Sequence, residues 1–339
     1  MIEFLQLPEE RRRTFIAQTA TETGMTEKAV EKDWWVTLVL RAIFTLPMAE
    51  HFVFKGGTSL SKGWGLIQRL SEDIDIALAP EAFDREYKLT PTHSYVKTLK
   101  REGTEYTSTV IADALQARLL EMSVPDTMFS LSVALIPPTR PDTDPQTILV
   151  HYTSFYPSNR YIEDSVKVEF GVRALKEPFA DVSIMSEIGR HIQVTSYTEQ
   201  PFTVRAVVPV KTLIEKLLLL HEKFTGKEPD QIKIAERQSR HLADIVRLKQ
   251  KGIHEEILAD TTLFEAIVVH RRHYVRLRGV NYDEMRIATL LIVPPPPAEA
   301  KFREDYAVML EEMIYGEAPD FDTILAELSE LKQFLQQKH

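Results

Sequence analysis

Apolar residues recur at helical spacing through "EKAVEKDWWVTLVLRAIFTL", so residues 8–46 read as helical, and Pro47 closes the segment. A short apolar strand in "HFVFKGGTSLSKGW" then runs into glycines. "DIDIAL" alternates polar and apolar positions and ends at Pro80, which predicts a second strand. A long helical stretch follows over residues 92–123. Beyond Pro125 the texture turns to β: "MFSLSVALI", "QTILVHYTSF", "SVKVEFGVR" and "HIQVTSY" are branched, aromatic or alternating. From Val210 the helical period returns in "VKTLIEKLLLLHEKF", "RQSRHLADIVRLKQ" and "PDFDTILAELSELKQFLQQ", with "VPPPP" at 293–297 as a stiff extended break. The order predicts an α+β protein. A mixed β-sheet domain with a helical lead spans 1–205, and a helical C-terminal domain spans 206–339.

Length and composition agree with two domains and an ample core, at 339 residues and 44% hydrophobic. No apolar run approaches the length of a membrane span, and "MIEFLQLPEERRR" lacks the layout of a signal peptide. With no cysteines there are no disulfides or thiolate metal sites, and the expectation is a soluble cytoplasmic protein. The net charge of −9 means that any nucleic acid must be met by a local basic patch.

The densest chemistry lies in "FKGGTSLSKGWGLIQRLSEDIDIAL", residues 54–78. On a strand, Asp73 and Asp75 share a face, about 7 Å apart, with Ile74 and Ile76 on the other. Two such carboxylates repel unless solvated or bridged by a divalent cation, and magnesium is often held by one or two carboxylates plus substrate phosphates. Gly56 and Gly57 supply backbone that a phosphate can approach, and Thr58 and Ser59 add hydroxyls. Either feature alone is a tight turn or an exposed acidic pair. Together they form the two halves of a nucleotide–metal site. The ten histidines show no zinc-site spacing, and "GGTSLSKGWG" lacks the Gly-Lys-Ser/Thr ending of a P-loop.

"FKGGTSLSKGW…RLSEDIDI" resembles motif I of the nucleotidyltransferase superfamily. With "VEKDWWVTLVLRAIF", "RHLADIVRL" and "EDYAVMLEEMIYG" it more closely resembles the AbiEii/AbiGii (MenT-like) toxin nucleotidyltransferases of bacterial toxin–antitoxin and phage-defence systems. The resemblance implies a nucleotidyltransferase-type fold, an NTP substrate, Mg2+ or Mn2+, and transfer of an NMP to an RNA acceptor such as the 3′ end of tRNA. A cognate antitoxin is the implied partner. Transfer to a protein or small molecule, and a non-catalytic nucleotide-binding module, stand as alternatives. Asp73 and Asp75 are the expected metal ligands. The spacer to Asp73 is long, which leaves Gly57, Thr58 and Ser59 as alternative phosphate contacts and Lys62 and Arg69 as further nucleotide-binding candidates.

Superfamily members commonly add a third carboxylate from a later strand. Here the candidate is Glu169 in "SVKVEFGVR", as general base or second metal ligand, against an edge-strand glutamate paired with Lys167 or Arg173. The resemblance also implies that a lysine of "VKTLIEKLLLLHEKF" contacts nucleotide phosphates. Lys216 is favoured and Lys211 is the alternate, and a snorkelling surface lysine is the bland reading. It also implies an essential Asp244, which the spacing itself would explain as an ion pair with Arg240 or Arg247. "HRRHYVRLRG" offers Arg271, Arg272 and Arg276 on a basic helix face as RNA contacts, with Tyr274 as a stacking ring, or else a solvated basic face.

Overall fold

The computed structural model describes residues 1–137, 139–140, 142–157, 162–195, 197–228, 231–233 and 237–337. They fall into two compact units. The first comprises Met1–Trp64, Leu70–Lys88 and His93–Val207; the second comprises Gly65–Arg69, Leu89–Thr92 and Val208–His339. The second unit therefore includes two short segments from the N-terminal half of the chain, ahead of its long helical part.

Three helices lead into the first unit: α1 (Glu3–Gln6), α2 (Glu9–Thr23) and α3 (Glu27–Ile43). Thr26 caps α3 by accepting from Ala29 N at 3.2 Å. The α3 ring of Trp35 stacks on Tyr152 at 4.9 Å, and Trp34 is fully buried. Strand β1 (Phe52–Lys55) leads into α4 (Gly56–Thr58), which continues as a π turn over Ser59–Gly63. Strand β2 is Ile74–Leu78. The helical stretch expected over 92–123 is α5 (His93–Tyr106) and α6 (Ala112–Glu121), joined by a π turn at Thr107–Ile111.

Strands β3 (Phe129–Val133), β4 (Gln146–Tyr152) and β5 (Ser165–Gly171) follow, then β6 (Phe179–Ile184), α7 (Glu187–His191) and β7 (Phe202–Val207). All seven strands form one mixed sheet in the order β3-β4-β5-β2-β1-β7-β6. Pairings β1–β2, β3–β4, β4–β5 and β6–β7 are antiparallel, and β1–β7 and β2–β5 are parallel. The fold is thus α+β, with helices around one mixed sheet in the first unit.

One expectation about strands needs correcting. "HIQVTSY" contributes only an isolated bridge between Val194 and Tyr197, with Ser196 outside the described residues. The strands in this region are instead "FADVSI" and "FTVRAV", which pair with each other over six residues from Phe179↔Val207 to Ile184↔Phe202. Each follows a proline closely, at Pro178 and Pro201, and each is too short to show a period on its own.

The second unit contains α8 (Pro209–Phe224), α9 (Arg240–Gln250), α10 (His254–Ala259), α11 (Thr262–Tyr274), α12 (Ala298–Glu312) and α13 (Phe321–Gln336). Its core takes the apolar stripe of α8, where Leu213, Ile214, Leu217 and Leu220 are all buried. Among the described residues no helix is long and apolar enough to cross a membrane.

Candidate active site

The site of the first unit is built where β1 turns into α4 beside β2. Antiparallel pairing sets Lys55 opposite Asp75, so the residue that follows, Gly56, emerges next to that carboxylate. Gly56 has φ of +80°, which disfavours any side chain. A methyl group there would also run into Asp75 Oδ2, with Asp75 Cγ at 3.1 Å. The turn and the acid therefore touch through the one residue that can permit it.

Burial alternates over Asp73–Ile76, and beyond it Ala77 and Leu78 are both buried. Ile74 and Ile76 are fully buried, whereas Asp73 and Asp75 are partly exposed on the opposite face. Parallel pairing with β5 places Asp75 beside Glu169, so a third carboxylate joins that face. Strand β5 lies between β4 and β2, so Glu169 is not on an edge strand. Its Oε1 accepts an ion pair from Lys167 Nζ at 2.8 Å, and its side chain is 23% exposed. Burial works to lower the Lys167 pKa. The hydrogen bond to Glu169 and the charges of Asp73, Glu169 and Asp75 outweigh it and raise the value above that of an ordinary lysine.

The hydroxyls of the turn face inward. Thr58 is 1% exposed, donates to the Asp73 carbonyl and shares a hydrogen bond with Ser71 Oγ at 2.8 Å. Ser59 is fully buried and donates to Gly56 O at 2.9 Å. Among the candidate phosphate contacts, the Gly56 and Gly57 backbone at the opening of the helix is the part turned least into the protein. Lys62 is likewise drawn inward, onto Asp33 of α3, whose other oxygen accepts from Glu187 N at 2.8 Å.

Helix α3 also grips the acidic strand. Lys32 is 2% exposed, pairs with Glu72 at 3.2 Å, and donates to Glu163 O at 3.0 Å and to Ser165 O. One ammonium thereby ties the residue before Asp73 to the start of β5, the strand that carries Glu169. The sequence reading missed Lys32 and Asp33; the signal available was the charged run Glu31-Lys32-Asp33 in "VEKDWWV", directly ahead of the apolar part of the helix.

The remaining expected site residues lie in the second unit. Arg69 is 4% exposed and holds Asp244 with two hydrogen bonds, at 2.8 and 2.9 Å. Lys216 reaches the same carboxylate at 3.0 Å and lies 3.4 Å from His241 Nδ1. Lys216 is therefore buried, and not a snorkelling surface lysine. Asp244 pairs with Arg69 and Lys216, neither of which is its neighbour along α9. Burial alone would raise the Asp244 pKa, but Arg69 and Lys216 outweigh it and hold the carboxyl well below its usual range. Burial lowers the Lys216 pKa, and Arg69 and Arg240 add to that against the pull of Asp244. Lys211 is fully buried and pairs with Glu215 at 3.1 Å.

The basic segment is largely committed to internal partners. Arg271 forks onto Glu222 with Nε at 2.7 Å, and Tyr282 OH donates to the same carboxylate at 2.9 Å. Arg272 pairs with Asp283 at 2.6 Å, and Arg276 is exposed in a turn beyond the end of α11. Tyr274 is 2% exposed and stacks on His270 at 4.5 Å, so it is a core residue and not a platform for a base.

Among the described residues no three His, Cys, Asp or Glu side chains converge on a metal position. The Asp73–Asp75 pair still offers hard oxygen donors, and the same face already attracts a cation in Lys167. Two carboxylates suit magnesium or manganese when substrate phosphates complete the coordination.

A model of the family described as the nucleotidyl transferase AbiEii toxin of a type IV toxin–antitoxin system matches residues 38–327. No curated protein matches the chain.

Proposed function

Because the chain belongs to the AbiEii nucleotidyl transferase toxin family of type IV toxin–antitoxin systems, we propose that the β1–α4 turn and the three acids of the first unit form its transfer site. Asp73 and Asp75 would hold Mg2+ or Mn2+ together with the phosphates of an NTP. Bound there, the ion supplies neutralisation of the charge on the triphosphate. The Gly56–Gly57 backbone receives the phosphates, and Gly56 holds them at the distance from Asp75 that its missing side chain sets. Glu169 accepts the proton of the attacking hydroxyl. The acceptor oxygen bonds to the α-phosphorus as the bond to pyrophosphate breaks. Lys216, with Lys211 as its alternate, is the lysine that the family resemblance assigns to nucleotide phosphates, and Asp244 is the carboxylate that holds Lys216. Thr58, Ser59, Lys62 and Arg69 are assigned to holding these parts in place, since their polar groups bond within the protein.

The acceptor we assign is RNA, with the tRNA 3′ end as the form to test first. Arg272 and Arg276 are the retained contacts for its backbone, whereas Arg271 serves Glu222. The antitoxin of the family is the expected protein partner, and the expected compartment is the cytoplasm.

The observation that carries this reading is the packing of Gly56 against Asp75, which joins a phosphate-receiving turn to a metal-holding acid. Asp75→Asn keeps the shape and removes the charge. With each labelled NTP and total RNA in the presence of magnesium, the variant is expected to lose transfer by a factor on the order of 10³ or more, since catalysis here is mostly electrostatic positioning. Transfer near the wild-type rate, with the circular dichroism unchanged, contradicts the assignment. Label found only on protein contradicts the RNA acceptor and leaves the acids in place.

A further inference from the structure

The acid-bearing face has an occupant of its own. Lys167 stands two residues before Glu169 on β5, which puts both side chains on one face. In the parallel register Ile74 lies beside Val168 and Asp75 beside Glu169, so Lys167 falls one step upstream, alongside Asp73. Its ammonium is 2.8 Å from Glu169 Oε1 while its side chain is 41% exposed, so it is bound at its tip and unhindered along its stem. The charges of Asp73, Glu169 and Asp75 all favour the protonated form.

We propose that Lys167 is a resident counter-ion of the acid cluster that weakens divalent-cation binding to the nucleotide-free protein, so that the cation enters together with the triphosphate. This rests on the reading of Asp73 and Asp75 as cation ligands. A divalent ion placed on those carboxylates meets an ammonium that the same face already holds. Even at the dielectric of water, that repulsion of a divalent charge at about 4 Å weakens binding roughly thirty-fold. A triphosphate reverses the balance, because its own negative charge gives the ammonium a second partner and lets it leave Glu169. Release of Glu169 then coincides with arrival of substrate, which is when a proton acceptor is needed.

The test is Mn2+ binding to the full-length protein, read from the electron paramagnetic resonance of free Mn2+, with and without a non-hydrolysable NTP analogue. Lys167→Met is expected to bind Mn2+ roughly thirty-fold more tightly than wild type without nucleotide. Lys167→Arg, which keeps the charge, stays close to wild type, and the analogue narrows the gap between wild type and Lys167→Met. Equal binding by wild type and Lys167→Met, lost in both on Asp75→Asn, overturns the counter-ion and leaves the acid ligands standing. A gain in Lys167→Met that survives Asp75→Asn, or no Mn2+ binding in any variant even with the analogue, overturns the acid-ligand reading and this inference with it. Lys167→Gln repeats the charge removal with a polar side chain, so that a folding defect in the methionine variant does not decide the outcome.

Discussion

At Gly56 a single missing side chain does two jobs, because its backbone is left-handed and its neighbour is the Asp75 carboxylate. Gly56→Ala must therefore both strain the turn and push Asp75 aside. The strain alone costs about 1–2 kcal/mol, and transfer is expected to fall at least roughly ten-fold as the acid moves. Urea melts and labelled transfer check the two effects separately. A variant with unaltered rate would show that the contact does not matter to the chemistry. Residue identities of this kind were legible in the sequence, since a glycine pair and a spaced acid pair form a motif. Their partners were not. Thr58 bonds to the Asp73 carbonyl, Lys62 to Asp33 and Arg69 to Asp244, and nothing in the local pattern encodes a partner 29 or 175 residues away.

At the scale of elements, α3 acts as more than a covering helix. Lys32 ties Glu72 to the start of β5, so the acids of β2 and Glu169 of β5 keep their register partly through one buried ammonium. Lys32→Met removes the ammonium that pairs with Glu72, itself 8% exposed. Removing one partner of such a pair costs about 3–5 kcal/mol. Lys32→Met combined with Glu72→Gln is expected to recover part of that loss in urea denaturation, and no recovery would argue that the two residues are not coupled. Long helices and the strand carrying Asp75 were readable from their periods. Strands β6 and β7 were not, while the alternating "HIQVTSY" misled, because a strand exists through its partners and not through its pattern alone.

At the scale of the whole molecule, the second unit takes in Gly65–Arg69 and Leu89–Thr92 as well as Val208–His339, so it gathers segments that lie far apart in the sequence. The long spacer between Thr58 and Asp73 contains the first of these segments, and Arg69 within it anchors Asp244. Asp244→Asn removes the buried carboxylate that Arg69 and Lys216 share, a loss of about 3–5 kcal/mol at neutral pH. The folded carboxyl titrates below its ordinary value of 3.8. Its stabilisation is therefore fully present above that pH and is lost as pH falls through the folded value. Wild type and Asp244→Asn should differ in urea melts at pH 7 and converge only below about pH 4; curves that coincide at pH 7 would remove Asp244 from the core of this unit. The same pairing has a consequence in time. Arg69 leaves the ribosome 175 residues ahead of Asp244. At about 5–20 residues per second the arginine waits roughly 10 to 35 seconds for its acid. A nascent chain arrested after Glu169 and before Asp244 already holds Asp73, Asp75 and Glu169 yet lacks the carboxylate that receives two hydrogen bonds from Arg69, so messages truncated between those points yield the three acids of the first unit beside a second unit that is structurally unfinished.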